Sequence, residues 1–430
     1  MEATRRDFLK TAGYAAMMGL GLPAWMPRLA FSTRADGPPG DILICVFLRG
    51  GIDGMSVVVP YAEDNYHESR PTLGIPEPGQ QNGALDLDGF FGLHPALAPL
   101  LDIYTQGDLA VVHATGSPDP TRSHFDAMDY MERGTPGEKQ IETGWLGRHL
   151  ASAAHQNDSP FRAIGMGALL PQSLRGPVPA VALQSIADFH LQGNPAELAQ
   201  IQQTLAALYS GDGWLDLEGQ KVFDAFALLE QTDPLQYDPQ HGAEYPDTSF
   251  GLGLKQVAQL IRAEVGLEVA CLDVGGWDTH ANQGVLSGQF SGMLTDFGAA
   301  LSAFYTDMQD QMGSITLVTM SEFGRRLREN ASAGTDHGHG NQMLVMGGGI
   351  IGGHVYGNWP GLDPEQLDRG DLAVTTDYRT VLSELVLKRL LNDHLDEVFP
   401  HFEQVPFLGL AESNTPLPGL NFLPLQMATG

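Results

Sequence analysis

Short, continuous apolar runs recur along the chain. Four of them stand out, each seven or eight residues long and bounded by polar residues or glycine. Runs of this length without strict alternation are typical of strands that are buried on both faces of a sheet. The pattern therefore predicts strands at 41–48, 108–114, 267–274 and 314–320.

Amphipathic stretches separate these apolar runs. Residues 95–106 precede the second predicted strand, 253–265 the third, and 293–312 the fourth. Helices that alternate with strands predict an α/β fold, with a largely parallel sheet and helices on both faces. The segment 185–250 has a helical pattern with few strand signals, and we interpret it as a helical insertion that caps the sheet. We expect residues 36–430 to form a single domain.

Side chains that can bind metal ions follow every predicted strand. In parallel α/β sheets, ligands bind beyond the carboxyl ends of the strands, so a site is expected at these positions. Asp53 follows the first strand, His124 the second, Asp278 and His280 the third, and Glu322 the fourth. His124 can also be interpreted as a core residue.

A glycine-rich loop holds further residues of the same types. In GTDHGHGN, residues 334–341, Asp336, His337 and His339 lie within four consecutive positions. Aspartate and histidine are common metal ligands, and glycine allows a loop to wrap a small bound group. A solvated polar turn is the alternative for this loop taken alone. Together with the strand exits, the loop favours a metal or catalytic site.

The first 35 residues have the pattern of an export signal. The stretch TRRDFLK, residues 4–10, precedes a modest apolar stretch of small residues at 11–25. Its arginine pair is the twin-arginine form, which the translocation machinery reads as an address and which does not anchor the protein in a membrane. We expect residues 1–35 to be a signal peptide, the twin-arginine machinery to be a partner during export, and the mature protein to be periplasmic or secreted.

The chain is strongly acidic. Its formal net charge is −29 at pH 7. Such a surface repels nucleic acid and anionic lipid head groups, so neither is an expected partner. An anionic substrate would need local positive charge at its binding site.

Six sequence stretches together resemble a known family. They are FLRGGIDGMSVVVPY, LHPAL, RSHFDAMDYME, GWLGRHL, GGWDTH and SEFGR. They resemble the domain-of-unknown-function 1501 family of twin-arginine-exported proteins, which is grouped with the alkaline phosphatase and sulfatase superfamily. The resemblance covers nearly the whole mature chain and implies an alkaline-phosphatase-like α/β fold.

The resemblance also implies one or two divalent metal ions, with Zn, Mg, Mn and Ca as the candidates. Asp53 resembles the aspartate that binds one ion, and Asp278 and His280 resemble ligands of the other. Glu322 stands where the superfamily usually has a histidine, a departure that favours harder ions such as Mg, Mn or Ca. The glycine-rich loop would supply the missing ligands.

The nucleophile implied by the resemblance is a hydroxyl or modified thiol at a helix N-terminus, where backbone N–H groups stabilise a bound anion. Ser123 has that position, with Thr121 as a second candidate. Serine is also a favoured helix N-cap for structural reasons alone. Arg122, Arg148 and Arg325 are candidate clamps for the anion, or partners of the many carboxylates.

These observations favour an exported metal-dependent hydrolase that acts on a small phosphate or sulfate ester. A non-catalytic exported protein, in which the metal site is structural or binds a ligand for a partner, is the alternative from another class. A hydrolase of a different bond that uses the same ions is a third. The sequence does not decide the substrate, the metal or the oligomeric state.

Export through the twin-arginine pathway gives the first prediction. Replacing both Arg5 and Arg6 by lysine should strand the protein in the cytoplasm, because the machinery reads the arginine pair itself. Cell fractionation followed by immunoblotting measures this. An unchanged periplasmic yield of the double variant would contradict the interpretation of residues 1–35.

Overall fold

The computed structural model describes residues 40–154, 157, 159–186, 204 and 237–414. The predicted signal peptide, residues 1–35, lies outside the described residues. So does most of the segment 185–250, which was interpreted as a helical insertion.

The described strands form two sheets. The strands are β1 (Ile42–Leu48), β2 (Val58–Val59), β3 (Leu85–Asp86), β4 (Gly92–Leu93), β5 (Leu109–Gly116), β6 (Ala163–Met166), β7 (Val181–Leu183), β8 (Val269–Val274), β9 (Ile315–Met320), β10 (Asn341–Met346), β11 (Val355–Tyr356) and β12 (Thr376–Asp377). The main sheet has the order β11-β5-β10-β9-β1-β8-β6-β7, and β12 pairs with β5. The smaller, antiparallel sheet has the order β2-β4-β3.

Helices connect most of these strands. The α-helices of the described residues are α1 (Gly54–Val57), α2 (Asp64–Ser69), α3 (Ala98–Gln106), α4 (His124–Arg133), α5 (Trp145–Ser152), α6 (Ser249–Arg262), α7 (Gln289–Asp307), α8 (Tyr378–Lys388) and α9 (Leu395–Val398). Short 3-10 helices lie at Pro95–Leu97, Gln172–Leu174, Gln240–Gly242 and Met312–Ser314. None of the described helices is long and apolar enough to cross a membrane.

The main sheet is buried between two layers of helices. Along β1, Ile44 and Val46 join the core that contains residues of α3, α6 and α7. Leu43 and Cys45 alternate with them and join the core that contains residues of α5 and α8. Successive side chains of a strand point to opposite faces, so a strand covered on both faces must be apolar throughout.

The predicted α/β class is confirmed. The four apolar runs form β1, β5, β8 and β9. Each of the three amphipathic stretches overlaps one helix, namely α3, α6 and α7. Most strand pairs of the main sheet are parallel, including β1 with β8 and with β9. Strand β10 was not predicted, and it runs antiparallel to both β5 and β9. The apolar run of β10 directly follows the glycine-rich loop, so the sequence does not show where the strand begins.

The direction of β10 decides where the glycine-rich loop lies. Strands β1, β5, β8 and β9 run the same way and end at one edge of the sheet. Because β10 runs the opposite way, it begins at that edge. Residues 334–340, which precede β10, therefore lie beside the residues that follow the parallel strands.

Close backbone contacts join this loop to the segment after β9. The N–H of Gly324 donates to the carbonyl of His339 (2.9 Å), and the N–H of Gly338 donates to the carbonyl of Gly324 (2.8 Å). A Cβ atom on Gly324 would lie 1.9 Å from the carbonyl oxygen of Gly340. Only glycine therefore allows the two segments to approach this closely.

This approach gives a prediction about stability. Gly324→Ala should lower the free energy of unfolding by about 1–3 kcal/mol, because the added methyl group collides with backbone. The matched control is Gly292→Ala in α7, where an added Cβ meets no atom within 4 Å. Alanine there should keep or raise the stability, since it favours a helix over glycine by about 1 kcal/mol. Chemical denaturation measures both, and equal stability of the two variants would contradict the close approach.

Candidate metal centre

Three imidazoles and one carboxylate converge at the edge of the sheet where β5 and β8 end and β10 begins. The Nε2 atom of His337 lies 2.9 Å from that of His124 and 3.0 Å from that of His280. It also lies 3.2 Å from Oδ1 of Asp278. The same oxygen is 3.0 Å from His280 Nε2 and 3.5 Å from His124 Nε2. We call these four residues the His3Asp cluster.

Each histidine of the cluster donates a hydrogen bond through its other ring nitrogen, Nδ1. The acceptors are the carboxylate of Glu322 for His124 (2.6 Å), the carboxylate of Asp336 for His280 (3.1 Å) and the carbonyl of Arg122 for His337 (3.0 Å). Because these oxygens only accept, every Nδ1 carries a proton and every Nε2 can turn a lone pair toward the cluster. Metal-ligating histidines in proteins are held in this way.

The donor atoms of the cluster fit a divalent cation. Three imidazole lone pairs and a carboxylate oxygen at these distances repel one another unless positive charge lies among them. A tetrahedral ion with bonds of about 2.0–2.1 Å separates its ligand atoms by about 3.3 Å. The five distances above, from 2.9 to 3.5 Å, lie near that separation, and the ligand atoms of His124, Asp278 and His337 all lie within 4.8 Å of one another as a three-residue group.

Neighbouring groups set the charge states of the cluster. Burial alone would raise the pKa of Asp278, but the hydrogen bond from Arg325 (2.7 Å) and its positive charge outweigh this, so the pKa lies below its ordinary value. Burial lowers the pKa of His337 and favours its neutral form. The hydrogen bond to Glu322 raises the pKa of His124. An anionic aspartate and a neutral imidazole are the forms that bind metal.

An open pocket of about 360 Å³ adjoins the cluster. Its lining residues are Arg122, His280, Arg326, Asp336 and His337. Two arginines and two cluster histidines therefore face the same space. Guanidinium groups are planar donors that match the oxygens of phosphate, sulfate or carboxylate. The pocket can hold an anion directly beside the cluster.

The structure does not bring Asp53 to the cluster. Its carboxylate is completely buried and accepts two hydrogen bonds from Arg70, at 2.6 and 2.9 Å. It also accepts from Ser56 and from Gln283, both at 2.7 Å. Burial alone would raise the pKa of Asp53, but the charge of Arg70 outweighs it and lowers the pKa. Both carboxylate oxygens thus serve a buried ion pair.

Three further predicted ligands have other partners. Glu322 and Asp336 lie behind histidines of the cluster, as the acceptors described above. Glu322 also accepts from the backbone N–H of Gly50 (2.8 Å). His339 lies apart from the cluster, because its Nδ1 pairs with Asp368 (2.7 Å) and its Nε2 donates to the carbonyl of Ser117 (3.0 Å). The structure therefore brings together Asp278, His280 and His337 of the predicted set, and adds His124.

The two residues predicted to be catalytic, Arg122 and Ser123, directly precede His124 of the cluster in the sequence. Ser123 is the N-cap of α4, and its hydroxyl oxygen accepts from the backbone N–H of Asp126 at 3.5 Å. Arg122 lines the pocket and pairs with Asp371. Two other candidate clamps point elsewhere. Arg148 donates mainly to backbone carbonyls, and Arg325 is buried beneath the cluster.

Sequence reasoning missed two charged residues of the pocket. Arg326 follows Arg325 in SEFGRR and lines the pocket. The pair of arginines directly after a predicted strand was the sequence signal that could have identified it. Asp371 pairs with both pocket arginines but belongs to no motif. Its role depends on the fold alone, because it lies 249 positions from Arg122 in the sequence.

Comparison with solved structures shows distant similarities. The C-terminal periplasmic domain of EcEptC from Escherichia coli, in complex with Zn, is 12% identical, with 88% of this chain and 92% of that chain covered and a TM-score of 0.36. The alkaline phosphatase of the Antarctic bacterium TAB5 is 10% identical, with 73% and 93% covered and a TM-score of 0.28. The sulfatase PsFucS1 from Pseudoalteromonas sp. is 10% identical, with 74% and 64% covered and a TM-score of 0.34. No curated protein matches the sequence.

One family model matches most of the chain. It covers residues 41–402, and its description is "Protein of unknown function (DUF1501)". The matched region begins just before β1, ends just after α9 and includes the whole His3Asp cluster. The chain therefore belongs to the DUF1501 family.

Proposed function

We propose that this protein is an exported, metal-dependent hydrolase of phosphate or sulfate esters. The observation that carries the proposal is the His3Asp cluster, whose histidines are all oriented through Nδ1 and which opens onto a pocket with two arginines. A structural zinc site is closed by four protein ligands, whereas a catalytic site has three protein ligands and an open position. His124, Asp278 and His337 form such a three-residue group beside the open pocket. The signal-like residues 1–35 support a periplasmic or secreted location, reached through the twin-arginine machinery.

The donor set supports zinc as the metal. The cluster offers three imidazole nitrogens and one carboxylate oxygen, whereas Mg and Ca prefer oxygen ligands throughout. The expectation of a harder ion depended on Glu322 as a ligand. Glu322 instead accepts the Nδ1 proton of His124, so it orients an imidazole and does not replace one.

The described residues support one ion per chain. A second ion would need Asp53, but the guanidinium of Arg70 already neutralises that carboxylate. Arg70 is itself fully buried and donates to the backbone carbonyls of Leu327 (2.8 Å) and Arg326 (2.9 Å). Its charge is thus part of the core, and an ion added beside it would be repelled.

The residues of the pocket would bind and orient the ester. A divalent ion held by the cluster supplies positive charge that polarises an ester oxygen and activates water. Arg122 and Arg326 would donate hydrogen bonds to the remaining anionic oxygens, which turns the scissile bond toward the cluster. Asp336 keeps His280 in its orientation from the wall of the same pocket.

Water is the attacking group in this proposal. A serine nucleophile is activated by a base within about 3 Å of its hydroxyl or by coordination to a metal ion. The Ser123 hydroxyl accepts from the backbone N–H of Asp126 at 3.5 Å. The carboxylate of Asp126 is a poor base for it, because hydrogen bonds from Lys139 and from Ser123 itself lower the pKa of Asp126. Ser123 therefore acts as a helix cap that fixes the start of α4, where His124 is the first residue.

Metal content tests the ligand assignment. Purified mature protein should contain about one zinc ion per chain, lost on chelation with a fall in melting temperature, because a ligand of the folded state stabilises it.

His337→Ala should abolish metal binding, since His337 Nε2 contacts all three other cluster residues. Asp53→Asn should keep the metal but lower the free energy of unfolding by about 3 kcal/mol, because Arg70 loses its buried partner. Elemental analysis and denaturation measure these effects, and metal loss in Asp53→Asn alone would reverse the assignment.

Turnover of aryl esters tests the function. Asp278→Asn should abolish hydrolysis of 4-nitrophenyl phosphate and sulfate esters, whereas Asp363→Asn, an exposed site outside the pocket, should leave it unchanged. Ser123→Ala should lower kcat less than about tenfold, because capping is its role. A loss of a hundredfold or more would make Ser123 the nucleophile. No turnover of any ester by fully metal-loaded protein would favour a non-catalytic binding protein.

A further inference from the structure

The two pocket arginines share a single buried carboxylate. Asp371 is fully buried, and one of its oxygens accepts from Arg122 while the other accepts from Arg326 Nε (3.2 Å). Its segment is also joined to the glycine-rich loop, because the carbonyl of Leu372 accepts from the N–H of Gly340 (2.8 Å). Asp371 therefore fixes both guanidinium groups in place and cancels one of their two charges.

The pocket and cluster nearly balance their charges. A divalent ion, the two pocket arginines and Arg325 supply the positive charge. Four carboxylates oppose them, namely Asp278, Glu322, Asp336 and Asp371. With an ion bound, the histidines would be neutral, because each donates through Nδ1 and would offer Nε2 to the ion. The charges of these groups of the described residues therefore sum to about one positive.

We propose that the pocket selects esters with a single negative charge, namely sulfate monoesters and phosphate diesters, over dianionic phosphate monoesters, and that Asp371 sets this selectivity. The proposal rests on the proposed function. A monoanion neutralises the pocket, whereas a dianion leaves an uncompensated negative charge in it. Asp371 contacts no substrate in this scheme, so it is a positioning residue that sets the charge and the direction of the arginines.

The physical basis is the different dependence of two energies on charge. Attraction to the pocket grows in proportion to the charge of the ligand, whereas the cost of removing the ligand from water grows with its square. A dianion thus gains about twice the attraction but loses about four times the hydration. The protein's net charge of −29 adds a repulsion that is also larger for the dianion.

Binding of inert anions tests the proposal without turnover. Phenylphosphonate is a dianion at about pH 8.5, whereas its monomethyl ester is a monoanion with the same aryl group. Isothermal titration calorimetry on zinc-loaded protein should give a Kd for the monomethyl ester about tenfold lower than that for phenylphosphonate. Benzenesulfonate, a monoanion of the sulfate type, tells the sulfate and diester classes apart.

Charge variants make the test specific. Asp371→Asn adds one positive charge and should shift the ratio of the two Kd values toward the dianion by at least about tenfold, whereas the matched control Asp363→Asn should leave it unchanged. Arg326→Gln removes one positive charge at a side chain that is 46% exposed, and should shift the ratio the opposite way. This variant keeps the test open if Asp371→Asn does not fold.

The outcomes separate this proposal from the proposed function. Tighter binding of phenylphosphonate by the unaltered protein, or a ratio that neither pocket variant moves, would overturn the charge selection and leave the hydrolase intact. In turnover, 4-nitrophenyl sulfate or bis(4-nitrophenyl) phosphate should have a higher kcat/KM than 4-nitrophenyl phosphate. Failure of the zinc-loaded protein to bind any of the anions or turn over any of the esters would overturn both proposals.

Discussion

The buried guanidinium of Arg325 joins the loops that carry the site. It donates hydrogen bonds to four backbone carbonyls, those of Gly50, Gly51, Trp277 and Thr335. These carbonyls belong to the segments after β1, after β8 and before β10. The guanidinium also donates to the carboxylate of Asp278 (2.7 Å). A buried cation is stable only when its donors are satisfied, so Arg325 holds the three segments in one arrangement and fixes the carboxylate of Asp278 at the cluster.

Around this centre, the side chains that face one another in the His3Asp cluster are distinct from the side chains that orient them. Glu322 and Asp336 are carboxylates at the same edge of the sheet as Asp278, but their partners are Nδ1 protons. Asp53 is neutralised by Arg70 and belongs to the core. Carboxylate side chains therefore have three roles within one region, and their hydrogen-bond partners decide which role each one has.

The sequence predicted the fold well because burial on both faces leaves a direct mark on composition. Each of β1, β5, β8 and β9 is a short apolar run, and the intervening helices show their apolar stripe. The antiparallel direction of strand β10 could not be predicted, because strand direction leaves no such mark. That direction places the start of β10 at the carboxyl edge of its neighbours, and so brings His337 to residues that follow parallel strands.

The sequence by itself determined the α/β class, the edge of the sheet where ligand-type residues gather, and the presence of Asp278, His280 and His337 among the candidates. It could not rank them, because a carboxylate or imidazole has the same letter whether it faces a metal, a guanidinium or a backbone carbonyl. Only the tertiary structure decided that His124 joins the cluster and that His339 pairs with Asp368. The physical reason is that these roles depend on contacts between residues far apart in the chain, such as the one between His124 and His337, which only the folded backbone brings within hydrogen-bonding distance.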